Sequence, residues 1–269
     1  MANVRKRRDE NASGALFVDS SCIDCGTCRW VAPASFDEAA GMSRVWHQPA
    51  DAAERRDALK ALIACPVAAI GSTEKEEMAP AIAAYPDPIA SGVYHCGYHS
   101  EKSYGAASYL IVRPKSGTTG GNVLIDSPRF SKPLVERIEA LGGVDLMFLT
   151  HRDDVADHAL FAKHFGCRRM IHADDRNAAR EAERVIEGYE AQRLDDELLV
   201  IPVPGHTRGS MCLLYRDNFL FTGDHLRWDP RTETLGGGRS VCWYDWTEQT
   251  ESMARLIDYP FEWILPGHG

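Results

Sequence analysis

Cys22, Cys25 and Cys28 stand two residues apart, and a fourth cysteine, Cys65, lies far downstream and is followed by Pro66. This pattern constrains the chain more than any other feature. Two-residue gaps let one short loop aim three thiolates at a small inorganic cube, and a distant Cys-Pro closes it from the other side. Thiolates are soft and charged, which suits iron–sulfur chemistry. A zinc knuckle is the competing reading, but zinc sites usually draw on two well-separated ligand pairs. The chain holds eight cysteines in all, and this spacing argues against reading them as a disulfide framework. Cys167 and Cys212 fall in apolar strand contexts and read as core, and Cys242 as packing.

The remaining composition narrows the function classes. A length of 269 residues allows one large domain or two modest ones. Apolar residues at 44% and charged residues at 26% are ordinary for a globular chain, which excludes collagen, coiled coil and wholesale disorder. No apolar run approaches the ~20 residues of a membrane helix. The charged start, Arg5 to Arg8 and then Asp9 and Glu10, is followed by no apolar stretch. That argues against a secretory signal and for a cytoplasmic location. The formal net charge is −9, and the deficit lies wholly beyond residue 75. An acidic second half is a poor footprint for nucleic acid.

The chain divides into segments. Residues 1–14 read as a flexible, solvated tail. Residues 15–72 hold a short strand at 16–18, the cysteine loop, and a helix at 51–64 that Cys65-Pro66 stops. Residues 73–92 read as a linker, with Pro80, Pro86 and Pro88 favouring extended backbone. Residues 93–269 alternate strands (109–112, 122–125, 144–149, 170–171, 198–203, 210–215, 219–222) with helices (131–141, 156–165, 175–187) before a last strand near 265. The pattern is α/β, with sheet layers covered by helices.

A second constellation lies at the strand exits. His151 and Asp153 follow the strand that ends at Leu149, and residues two apart on an extended chain point the same way. Asp157 and His158 open the next helix, where they would serve a second metal. Then come Pro204-Gly205-His206-Thr207, Thr222-Gly223-Asp224 and Pro266-Gly267-His268, each after an apolar strand. Loops at strand ends are where α/β folds build sites. One histidine or aspartate there would be an ordinary polar residue; their joint recurrence beside glycines indicates a metal site.

These residues resemble the metallo-β-lactamase superfamily over roughly residues 93–269. Its pattern is T-H-x-H-x-D-H, then P-G-H-T, T-G-D and a late P-G-H. The resemblance implies an αββα sandwich holding two divalent metal ions, zinc or iron. His151 and His206 would serve one metal, Asp157, His158 and His268 the other, and Asp224 would bridge them. Asp153 stands where the second histidine is expected, with Asp154 as its rival, and two extra residues precede Asp157-His158. Family members commonly continue with a covering helix beyond the last ligand, so the resemblance implies that the chain is a piece of a longer one. The first part resembles single-cluster bacterial ferredoxins, including Cys65-Pro-Val-Ala-Ala-Ile70. That implies one 4Fe–4S cluster on Cys22, Cys25, Cys28 and Cys65. In the two-cluster form of the motif a further cysteine would occupy position 32, where this chain has Ala32.

The expected function is metal-dependent hydrolysis of a small ester, thioester or lactone, with Asp157 or Asp224 orienting water and moving its proton. A carboxylate at 153 hardens the site towards iron or manganese. Flavodiiron proteins, a redox branch of the same superfamily, carry glutamate at the matching position and bind iron. The alternative is therefore a di-iron oxidoreductase fed by the ferredoxin-like part and its redox partner, and a further one is a non-enzymatic redox sensor. His95, Cys96 and His99 are candidates for substrate contact or simply polar turn residues. Trp30 reads as packing beside the cluster loop, and Trp228, Trp243 and Trp246 as core rather than as walls of a pocket.

Overall fold

The computed structural model describes residues 2–116, 119–229 and 232–269. In the first part Leu16–Val18 pairs antiparallel with Ile70–Ser72, and Phe36–Ala39 forms a hairpin with Met42–Val45. Asp51 caps the helix Ala52–Ala64 by accepting from the amides of Ala53 and Glu54, which satisfies two of its free donors. Leu16, Val18, Phe36, Val45, Ala58 and Ala61 make a small core beneath the cysteine loop. Residues 3–14 are not a loose tail. Arg7 bridges Asp19, Arg8 is buried and donates to the Ala39 carbonyl, and the Asn11 side chain bonds Arg8, Val18 and Val45. One amide that completes four backbone bonds ties this segment to the core, and nothing in the local composition announces it.

The second part is a four-layer sandwich. Its seven-stranded sheet runs Arg184–Ile186, Arg168–His172, Leu146–Phe148, Val123–Ile125, Tyr109–Ile111, Val93–His95, Asp87–Ala90, and the first four strands are mutually parallel. The five-stranded sheet runs Gln192–Arg193, Leu198–Pro202, Met211–Tyr215, Phe219–Gly223, Trp263–Pro266. Alternation along each strand sorts the layers. Ile111, Val123 and Ile125 face Leu213, Phe219 and Phe221 between the sheets. Leu110, Leu124 and Met147 point outward onto helices Lys132–Ala140 and His158–Phe165, while Cys212, Leu214 and Leu220 pack beside Leu256 and Met253.

Two further expectations change. Part of 73–92 is structured: helix Ala79–Ala83 leads into Asp87–Ala90, an edge strand, where Pro88 is tolerated. The helix expected at 175–187 is replaced by a 3-10 turn, Ala173–Ala178, and a strand, Arg184–Ile186. The buried Asp175 carboxylate accepts from the Arg152 amide, the Thr207 hydroxyl and the Gly209 amide. Those long-range bonds hold the segment against helix propagation.

The two parts meet through a loop at residues 98–107 and through helix Ala52–Ala64, whose Leu59, Ile63 and Ala64 join the core that holds Tyr85, Cys96 and Leu110. The Tyr104 hydroxyl donates to the Ile23 carbonyl in the cysteine loop, and Trp30 packs edge-on against His95 at 4.8 Å between ring centroids.

Candidate functional site

Strand exits from both sheets converge on one hollow. Leu146–Phe148 delivers Thr150 and His151, Val123–Ile125 delivers Asp126, Leu198–Pro202 leads to His206, Phe219–Gly223 to Asp224, and Trp263–Pro266 to His268. The Met211 amide stitches the two sheets there by donating to the Thr150 carbonyl, and within the five-stranded sheet the Gly267 amide donates to the Gly223 carbonyl. Gly223 has φ +50°, and a Cβ on it would lie 2.4 Å from Thr150 Oγ1, so only glycine lets this turn press onto the His151 exit.

Two groups of three converge among the described residues: His151, His206 and Asp224, and Asp154, Asp224 and His268. Asp224 belongs to both. Its Oδ2 lies 3.8 Å from His151 Nε2 and from His206 Nε2, and its Oδ1 bonds His268 Nδ1 at 2.7 Å. Asp153 Oδ2 joins the first group, 3.4 Å from His206 Nε2 and 3.8 Å from His151 Nε2. His151 Nε2, His206 Nε2, His268 Nε2, Asp153 Oδ2 and both Asp154 oxygens are buried without a hydrogen-bond partner.

One of these nitrogens has its tautomer fixed from behind. With Asp126 ionised, Thr150, 2.9 Å from Asp126 Oδ2, donates its hydroxyl there and accepts from His151 Nδ1 at 2.9 Å. Nε2 of His151 is thus a bare lone pair aimed into the hollow, an arrangement in which a buried hydrogen-bond chain orients a metal ligand. Unpartnered imidazole nitrogens and carboxylate oxygens in a dry hollow are costly unless a cation completes them. The donor set therefore fits metal ions, with mixed imidazole and carboxylate character.

The electrostatics agree. Burial, and then the carboxylates of Asp224, Asp126 and Asp153, push Asp154 well above the carboxylate range. Burial pushes Asp126 up to about 8. Burial opposes ionisation of Asp224 too, but the charge and hydrogen bond of His268, with His151 and His206 behind, hold it well below. Burial lowers His151 to about 4.

A pH dependence follows for protein stripped of cations. Buried His151 binds protons more weakly folded than unfolded, which favours folding as pH rises towards 6.5. Asp126 and Asp154 bind protons more tightly folded than unfolded, and that stability is lost as pH rises through their folded pKa values. Above pH 6.5 the second effect remains and His268 adds to it: burial opposes its protonation, but the Asp224 carboxylate outweighs burial and holds the proton more tightly in the folded protein. The melting temperature of the stripped protein is expected to fall between pH 6.5 and 8, and added zinc to remove the trend; a flat profile in stripped protein would contradict this charge balance.

Asp157 and His158, expected on the second metal, are not brought to the hollow. Asp157 precedes the helix His158–Phe165 and accepts from Lys102 Nζ at 2.6 Å and the Phe130 amide at 2.8 Å. His158 Nδ1 faces the Arg169 guanidinium at 3.5 Å. The two extra residues before them carry the helix start past the centre, and Asp154, one turn earlier, occupies the second position. Asp157→Asn is accordingly expected to leave the metal content unchanged within about twofold, as measured by elemental analysis. Trp228 and Trp243, expected in the core, are 49% and 59% exposed, and Trp243 stands 6.5 Å from the His206 ring at the rim. His225 turns away, its Nε2 3.3 Å from Ser252 Oγ. His95 and His99 are buried against the first part rather than facing the hollow. Asp126 went unnoticed in the sequence, although it too follows a strand directly.

The four cysteines expected to act together line one small cavity with Val18 and Ile23. All four are free thiols, and the Ala69 amide donates to Cys65 Sγ at 3.2 Å. Burial pushes Cys28 up to about 12 and also raises Cys25 and Cys65. Thiols so placed ionise only when a cation offsets their charge, which fits an iron–sulfur group.

Comparison with known proteins follows the same division. Residues 18–72 match the family model for the 4Fe-4S single cluster domain of Ferredoxin I. The structure of the BLEG-1 B3 metallo-β-lactamase superposes with a TM-score of 0.52 at 16% identity, covering 66% of this chain and 91% of that one. The second part has the metallo-β-lactamase fold. The hydroxyacylglutathione hydrolase of Xanthomonas euvesicatoria pv. vesicatoria (strain 85-10) is 27% identical over 150 residues, 54% of this chain and 55% of the relative. The chain thus spans about half the length of the curated relatives it matches. The metallo-β-lactamase-fold part carries the hollow, and the ferredoxin-like part carries the cysteine cradle. No helix among the described residues is long and apolar enough to cross a membrane.

Proposed function

We propose that this protein is a metal-dependent hydrolase of a small thioester, ester or lactone, tethered to a 4Fe–4S ferredoxin-like part. One observation carries the reading: bare nitrogens of His151, His206 and His268 and free oxygens of Asp153 and Asp154 converge, buried, on the shared carboxylate of Asp224. His151, His206, Asp153 and Asp224 would hold one cation, and Asp154, Asp224 and His268 a second. Bound cations supply Lewis acidity and bring the pKa of water towards ~7. The chain's own residues do the rest. Asp126 and Thr150 fix the direction of His151, and the His268 bond holds Asp224 ionised. Trp243 at the rim offers an apolar face to a substrate body. The likeness to hydroxyacylglutathione hydrolases supports a thioester as the first substrate to test.

A second reading, a di-iron oxidoreductase, is favoured by a different observation. Tyr104 bonds the cysteine loop through Ile23 while its ring stands 6.2 Å from that of His268, so one residue touches both cofactor sites. Three aspartates in the donor set also suit iron.

The test is anaerobic purification, metal quantification and assay against a thioester panel, with and without reductant. Hydrolysis without reductant supports the first reading. Two irons beyond the cluster and a strict need for reductant would replace it with the second. A filled centre with no turnover under either condition would sink both.

A further inference from the structure

Outside the metal centre, a buried hydrogen-bonded chain crosses from one part to the other. Cys25 Sγ lies 3.4 Å from Thr27 Oγ1, Thr27 Oγ1 lies 3.1 Å from His99 Nδ1, and His99 Nε2 lies 2.8 Å from His95 Nε2. Thr27, His95 and His99 are all buried. The donor directions follow from the partners. His99 Nδ1 is also 2.6 Å from the Gly105 carbonyl, which can only accept, so Nδ1 carries a proton. Burial lowers His99 to about 4 and keeps it neutral, so its Nε2 is bare and accepts from His95 Nε2–H. Thr27 Oγ1 accepts a share of the His99 Nδ1–H, which leaves its own proton to give.

Two acceptors compete for that proton. The Gly105 carbonyl is 3.4 Å from Thr27 Oγ1, but it is neutral and already takes the shorter bond from His99. The other is Cys25 Sγ. A sulfur bound to iron is a thiolate, carries no proton and can only accept, and charged acceptors win such contests. The packing holds this arrangement in place. Gly105 sits at φ +85°, and a Cβ on it would meet Cys25 Cβ at 2.9 Å and Pro66 Cγ at 3.0 Å. The loop from the metallo-β-lactamase-fold part therefore rests on both ends of the cradle, against Cys25 and against the proline after Cys65.

We propose that His99 is a positioning residue for the cluster: acting through Thr27, it fixes a hydroxyl on Cys25 Sγ and so raises the cluster's reduction potential. A hydrogen bond to a ligand sulfur stabilises the reduced cluster, which carries one more negative charge, more than the oxidised one. The inference rests on the cluster reading and is independent of what the metal centre catalyses.

The experiment is a mediated redox titration of the full chain under argon, with dithionite as the electron donor and the reduced cluster read by electron paramagnetic resonance. Iron and sulfide content are measured on every sample. Thr27→Val and His99→Phe are expected to lower the potential, so that at the wild-type midpoint the oxidised-to-reduced ratio rises about tenfold, ~59 mV for one electron. Thr27→Ser and His99→Asn, which keep a hydroxyl and an N–H donor, are expected to stay near wild type. If either bulky variant fails to assemble the cluster, Thr27→Ala and His99→Ala are read by the same criterion. Unchanged potentials in cluster-replete variants would overturn the proposal, and so would a shift in the Thr27 variant alone. Wild-type protein that holds no cluster after anaerobic purification would overturn the reading beneath it.

Discussion

Replacing Asp224 by alanine is expected to strip the metallo-β-lactamase-fold part of its cations and abolish turnover. Asp224 is the one carboxylate shared by both donor groups, with Oδ2 facing His151 and His206 and Oδ1 on His268. Its removal takes a donor from each group at once. Loss of a residue that only orients a ligand costs 10–100-fold in metal affinity, so loss of a shared ligand should cost on the order of 100-fold or more. The fold should survive. Removal of Asp224 relieves repulsion on Asp154 and Asp126 but also takes away the partner of His268, so the stripped variant is expected to melt somewhat below stripped wild type while still unfolding cooperatively. Chelator competition measures the affinity, and elemental analysis the content. A variant that keeps two metals per chain and full rate would mean that the centre lies elsewhere.

Cys25→Ser is expected to lose the cluster's brown absorbance while leaving the metals of the second part bound. A serine oxygen is hard and rarely ionised, a poor substitute for thiolate in an iron–sulfur site. Of the remaining thiols Cys28 and Cys65 are buried, and burial keeps them protonated unless a cation returns. The ferredoxin-like part has only a small core, so it depends on what its cradle holds. In a domain of this size each ~1 kcal/mol lost lowers the melting temperature by about 4–8 °C. The hollow around Asp224 is set by strand exits of the second part over the inter-sheet core, to which the ferredoxin-like part contributes no residue, so it is expected to form without the cluster. Differential scanning calorimetry should show the early transition move and the later one stay. Retained cluster absorbance would count against Cys25 as a ligand, and simultaneous loss of both metals would show that the parts fold as one unit.

Much of the architecture was legible in the chain. Strand and helix periods located the central strands of both sheets and the helices Lys132–Ala140 and His158–Phe165, because alternation and helical spacing report directly which side of a segment is buried; the outer strands Asp87–Ala90, Val93–His95, Arg184–Ile186 and Gln192–Arg193 and the helix Trp246–Arg255 were not legible in this way. The segment at 175–187 was misread because its Asp175 is captured by Arg152, Thr207 and Gly209, contacts that local composition does not carry. Trp228 and Trp243 were misread for a related reason: aromatic character suggests burial, but a site rim also uses large side chains that stay wet.

Residue type and punctuation along the chain determined the kind of chemistry: a soft thiol quartet in one part, imidazoles and carboxylates beside glycines at strand exits in the other. Only the tertiary structure decided which acidic residue after His151 turns inward. Asp153 and Asp154 enter the hollow, while Asp157 is drawn off by Lys102 and Phe130, residues far away in the chain. It also decided that His95 and His99 serve the cysteine loop rather than the metal hollow. The physical reason is the same in both cases. A side chain's charge and softness are local properties, but its direction beyond a strand end is set by partners that come into reach only when distant segments pack.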